Sequence, residues 1–177
     1  KGIYEFLQES KGLRRDQAEG MTQHVTNMAK EVGLTFDFDK IVVANSFDAH
    51  RFIHFAAQQG LQNEAEEKLF AAYFEQGKNV EDHNVLAGIG EELGLDIPKL
   101  KEVLIGDAYV QDVKADIQEA QNLNITGVPF FVLNRKYGIS GAQPVNIFLE
   151  VLEKAYKDEI QQMEVTAEGN SCKDDNC

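Results

Sequence analysis

The chain is 177 residues long, 43% hydrophobic and 27% charged, which is enough to bury a core in one large domain or two small ones. Thirty acidic residues against 17 basic ones give a net charge of −13, with Lys and Arg scattered among carboxylates. Nucleic acid is therefore not an expected partner, and with no run near the ~20 apolar residues of a membrane span, neither is a membrane.

The sequence starts at Lys1 with no visible signal peptide, and a cytoplasmic location is the expectation. Its two cysteines, Cys172 and Cys177, both fall in the last six residues. Everything that reads as core is cysteine-free, so no disulfide framework staples the fold.

Residues 1–123 read as consecutive helices. Between Asp16 and Val32, apolar Ala18, Met21, Val25, Met28, Ala29 and Val32 recur at three- and four-residue steps, and Gly33 follows as a stop. Ile41 to Ala44 is too short to assign. Ser46 suits the N-cap of a helix running to Gln59, with Asn45 and Asp48 adding capping bonds. Further helices fit Glu64 to Gln76 before Gly77, about Val80 to Leu93 before Gly94, and a short one opened by Asp96-Ile97-Pro98. The last of the series spans Ala108 to Leu123.

Phe52, Phe55, Phe70, Tyr73 and Phe74 stand at helical spacing, which favours core over a ligand cage, the alternative being that part of the set lines a hydrophobic groove. His50 and Arg51 read as hydrogen-bonded structural residues.

The pattern then changes. Pro129-Phe130-Phe131-Val132-Leu133 is a run of strand formers, Asn134-Arg135-Lys136 is turn-like, and Tyr137-Gly138-Ile139-Ser140-Gly141 supplies a returning strand. Pro144 opens a helix carrying Ile147, Phe148, Val151, Leu152 and Tyr156. Beyond about Gln162 no apolar period remains, and a mobile tail is expected.

Helices followed by Gly-Val-Pro, a hairpin and a closing helix resemble the second half of a thioredoxin fold. Four segments narrow the resemblance to the DsbA-like family that includes FrnE-type oxidoreductases and 2-hydroxychromene-2-carboxylate isomerases. They are Ala44-Asn45-Ser46-Phe47-Asp48-Ala49-His50-Arg51, Phe74-Glu75-Gln76-Gly77-Lys78-Asn79, Ile125-Thr126-Gly127-Val128-Pro129-Phe130-Phe131 and Ile139-Ser140-Gly141-Ala142-Gln143. The resemblance implies an α/β, thioredoxin-like fold of DsbA type with a large helical insertion. Residues 1–118 would be the insertion, 119–160 the returning half of the core, and 161–177 a flexible tail. The family's Cys-Pro-x-Cys helix, or the N-terminal serine of its isomerase branch, would precede Lys1.

By the same resemblance Pro129 is cis, and Val128 and Pro129 form the substrate-facing wall, with the N–H and C=O of Val128 pairing with an extended chain. The residues alone also allow a trans proline opening a strand. Some FrnE-type proteins carry a second C-x4-C pair like Cys172 and Cys177, which would exchange electrons with the principal pair. Asp174 and Asp175 oppose thiolate formation there, so the pair suits a resolving or accepting role. The alternative is an inert tail. Zinc is discounted because no further His or Cys lies nearby.

The function this implies is a thiol–disulfide oxidoreductase or disulfide isomerase acting on protein thiols or unfolded chains, with no cofactor. The alternatives are a glutathione-dependent isomerase and a non-catalytic, chaperone-like binding module. Phe130 to Leu133 would present an apolar strand edge, through which a homodimer could form.

Overall fold

Local chemistry sets the helix boundaries in the computed structural model, which describes residues 1–169. The helical elements are α1 (Ile3–Lys11), α2 (Arg15–Glu31), α3 (Phe47–Ala57), α4 (Gln62–Phe70), α5 (His83–Glu92), α6 (Ile97–Ile105) and α7 (Val110–Asn122). A hairpin, β1 (Phe130–Leu133) and β2 (Tyr137–Ser140), and α8 (Val145–Gly169) follow. Asp82 starts α5 by accepting from the Asn84 N–H at 2.8 Å, and Asp96 starts α6 by accepting from the Lys99 N–H at 3.1 Å. That is why α5 opens at His83 rather than near Val80: an Asx turn at Asn79 and the Asp82 cap claim the preceding residues.

Three further points depart from the sequence reading. Ser46 occupies the N-cap of α3 without a side-chain cap bond; Asn45 Oδ1 instead accepts from the Phe47 N–H at 2.9 Å. The helix expected to run to Gln76 gives way at Ala71 to a π-helical turn, Ala71–Glu75. Helix α8 continues to Gly169, past the end expected near Gln162, through a Glu-, Gln-, Met- and Ala-containing stretch of good helix formers.

The chain divides into two compact units, Lys1–Ile117 and Gln118–Cys177. In the first, α3, α4, α5 and α6 surround a core whose fully buried members include Phe52, Leu86 and Leu100, joined by Phe55, Leu69 and Ile89. Each such side chain contributes about 1.5–3 kcal/mol through its burial. Helices α1 and α2 pair as a hairpin, and on α2 Ala18, Thr22 and Ala29 are buried whereas Met21, Met28 and Val32 lie outward. The apolar period of α2 was visible in the sequence, but it is the small members of the stripe that are buried.

In the second unit β1 and β2 are antiparallel, with Phe130 opposite Ser140 and Leu133 opposite Tyr137. Asn134 and Arg135 both have positive φ, 50° and 55°, and the Lys136 N–H returns to the Leu133 carbonyl at 3.0 Å, a type I′ turn geometry. Helix α8 packs on this hairpin. Ile139 and Ala155 are buried, Phe131 meets Phe148 edge-on at 4.9 Å, and Asn134 Nδ2 donates to the Ala155 carbonyl at 3.1 Å. Asp158 accepts from both Lys136 Nζ and Tyr137 Oη; the lysine bond first, then the tyrosine's, holds its carboxyl below the usual range.

Candidate functional site

Helix α7 ends at Asn122, and the chain takes an irregular path to β1. Thr126 to Pro129 are exposed, and the Val128–Pro129 peptide is cis. Val128 is 92% exposed, the highest among the large hydrophobics of the described residues. Among the described residues neither its N–H nor its C=O has a hydrogen-bond partner. The next carbonyl is used: Pro129 O accepts from the Gly141 N–H at 2.8 Å, extending the hairpin by one rung. The loop thus offers one donor and one acceptor on an exposed apolar residue, immediately before a strand. Such an arrangement can bind an extended chain by main-chain pairing. Cys172 and Cys177 lie outside the described residues.

The first unit carries a separate concavity that the sequence did not reveal, with a volume of about 600 Å³. One wall is α3, which presents Ser46, His50 and His54 at successive turns with Ile53 between them. The opposite wall is α4 and its π-helical continuation, which contribute Leu69, Phe70, Tyr73 and Phe74. π-Helical turns recur at functional sites. Glu66 and Asp116 supply carboxylates; Asp116 pairs with His54 Nε2 at 2.8 Å, and Glu66 accepts from Gln62 at 3.2 Å. Burial pushes the Tyr73 phenol above its ordinary value, so it stays uncharged at neutral pH.

The aromatic set therefore splits. Phe52 and Phe55 are core, as their spacing suggests, but Phe70 is 55% exposed and joins Tyr73 and Phe74 in walling the cavity. The Ser46, His50, His54 stripe, at four-residue steps, was the available signal.

Arg51 has no place in this cavity. Its guanidinium is buried and donates to the carbonyls of Val103, Leu104, Gly106 and Ala108, closing the C-terminal end of α6. Asp48 serves it rather than capping α3: one carboxylate oxygen accepts from Arg51 at 2.7 Å and the other meets His83 Nε2 at 2.7 Å. Burial alone would raise the Asp48 carboxyl, but the bonds from His83 and Arg51 outweigh it and hold it below the usual range. Among the described residues no cluster of His, Cys, Asp and Glu has the geometry to hold a metal ion, and no helix is long and apolar enough to cross a membrane.

A helical unit followed by a hairpin, an exposed Val-Pro loop at its first strand and a closing helix defines the class: a thioredoxin-type fold with a large helical part. A family model described as the DSBA-like thioredoxin domain matches residues 6–153, and the chain belongs to that family. It is similar to a crystal structure from Streptomyces coelicolor described as a probable DsbA oxidoreductase, with a TM-score of 0.84 and 31% identity, over 89% of this chain and 68% of that one. It is also 29% identical over 134 residues to the uncharacterized protein YwbO of Bacillus subtilis, covering 75% of this chain. The chain spans 64% of the length of that curated relative.

Proposed function

We propose that this chain works as the helical and C-terminal part of a FrnE-type thiol–disulfide oxidoreductase acting on protein thiols, with the principal thiol pair supplied outside this chain. The observation that carries the reading is Val128, exposed on the loop into β1 with its N–H and C=O both without a partner among the described residues. An extended substrate segment pairs with these two groups, which costs the protein little because they are already solvated. Chemistry begins when an outside thiolate attacks a substrate disulfide, or when a substrate thiolate attacks the oxidised principal pair. In either case a mixed disulfide forms and a second thiolate resolves it.

Cys172 and Cys177 act as a secondary pair that exchanges electrons with the first. Their C-x4-C spacing permits closure, and Asp174 and Asp175 keep them poorer nucleophiles than a principal pair requires. Membership of the DSBA-like family and likeness to a probable DsbA oxidoreductase support the assignment of class.

Insulin reduction by the full-length protein that contains this chain is the test. Turnover is expected, and replacing Cys172 and Cys177 by Ser is expected to slow it. Unchanged turnover in the double variant would remove the secondary pair from the scheme. Negligible turnover in the full-length protein would favour a chaperone-like binding module instead.

A further inference from the structure

We propose that the cavity between α3 and the α4–π-helical wall binds a small organic cation with an aromatic or apolar body. The proposal stands on this cavity alone and does not rest on the redox reading. Its volume of about 600 Å³ falls within the range of small-ligand sites, roughly 300–1,000 Å³. A core defect would be far smaller, since protein interiors hold few voids larger than a water molecule.

The lining decides the chemistry. Glu66 and Asp116 place two carboxylates on the cavity, and among the described residues no Lys or Arg lines it. Both carboxylates accept a hydrogen bond, from Gln62 and His54. An anion would enter against these charges and against a chain of net charge −13. A cation is favoured by both.

The opposite wall adds a second, independent attraction. Phe70, Tyr73 and Phe74 present aromatic groups to the same space, and Tyr73 and Phe74 are fixed edge-to-face at 5.0 Å. The negative face of an aromatic ring attracts a cation, more strongly as water is excluded. The exposure of Phe70, 55% on a helix whose core face holds Ala65 and Leu69, is then useful rather than incidental. Ser46 and His50 make no side-chain hydrogen bond among the described residues, leaving polar groups on the α3 wall for a substituent of the ligand.

Benzyltrimethylammonium is the probe, titrated calorimetrically into the chain. Saturable binding at one site per chain is expected, with benzyl alcohol weaker and 3-phenylpropanoate weaker still. Glu66→Gln and Phe70→Ala should each lower affinity about fivefold, as the loss of one such interaction predicts. Ser46→Trp, which fills the space from an exposed position, should abolish binding. Circular dichroism and a urea transition on each variant identify any that fails to fold. The proposal is overturned if benzyltrimethylammonium does not saturate one site. Equal binding of the anion, or affinity unmoved by folded Glu66→Gln and Phe70→Ala, overturns it equally.

Discussion

The carboxylate of Asp48 holds the guanidinium of Arg51 at 2.7 Å, one turn apart on α3, and aims it at the end of α6. Arg51 is 4% exposed and bonds carbonyls of residues 103 to 108, more than fifty positions along the chain. Arg51→Met keeps most of the side chain's bulk but strands these carbonyls and the Asp48 carboxylate. Breaking a buried pair from one side costs about 3–5 kcal/mol, and a loss of about 3 kcal/mol is expected here because Asp48 stays partly in water. Urea unfolding of the variant checks this. A loss under about 1 kcal/mol would mean that water replaces the guanidinium at the end of α6.

Asp48 also sets an acid limb. Its carboxyl is held below the usual range in the folded chain, so folding favours the ionised form. The resulting stability is fully present above the unfolded carboxyl's range and is lost as pH falls through the lower folded value, below about pH 4. Asp48→Asn removes this dependence. It should be less stable than the parent chain at pH 6, with the difference shrinking towards pH 3. Urea midpoints measured across that span check the sign; a difference that grows on acidification would contradict it.

The strand run Pro129 to Leu133, the return at Tyr137 and the helix after Pro144 were legible because hairpin and helix signals are local: alternation, turn residues and a first-turn proline. The polar–aromatic cavity was not. It needs α3 and α4 set face to face, and nothing in Ser46, His50 or His54 shows that Phe70 and Tyr73 will lie opposite. Arg51 was legible as structural but not in its role, since its acceptors are backbone carbonyls, which carry no sequence signature. Helix α2 shows a third limit. Its period identified a helix, but which residues of the stripe are buried depends on tertiary packing, which the period does not show.

Gly77 is required twice over. Its φ is +63°, and a β-carbon there would lie 2.5 Å from Lys40 Cβ and 2.6 Å from the Lys40 carbonyl oxygen. Gly12 has a similar φ, +65°, but open space around it. Gly12→Ala should therefore cost about 1 kcal/mol, the left-handed penalty alone. Gly77→Ala should cost about 3 kcal/mol, because overpacking against backbone adds to that penalty. Parallel thermal melts of the two variants separate the contributions; equal losses would mean that the loop at Lys40 yields.

Strand β1 pairs with β2 along one edge, and among the described residues its other edge has no partner. Phe131 and Val132 are 42% and 39% exposed on this strand. An exposed apolar edge of this kind is a template for pairing with another chain, and a charged side chain on it opposes such pairing. We expect the isolated chain to self-associate through β1 as a dimer, and Val132→Lys to weaken that association without altering the fold, since the side chain is already partly in solvent. Sedimentation equilibrium across a range of concentrations measures it, with circular dichroism as the control on folding. Concentration-dependent mass in the parent chain and a monomer in Val132→Lys are the expected results. A parent chain that stays monomeric throughout would show that the β1 edge does not pair with a second copy.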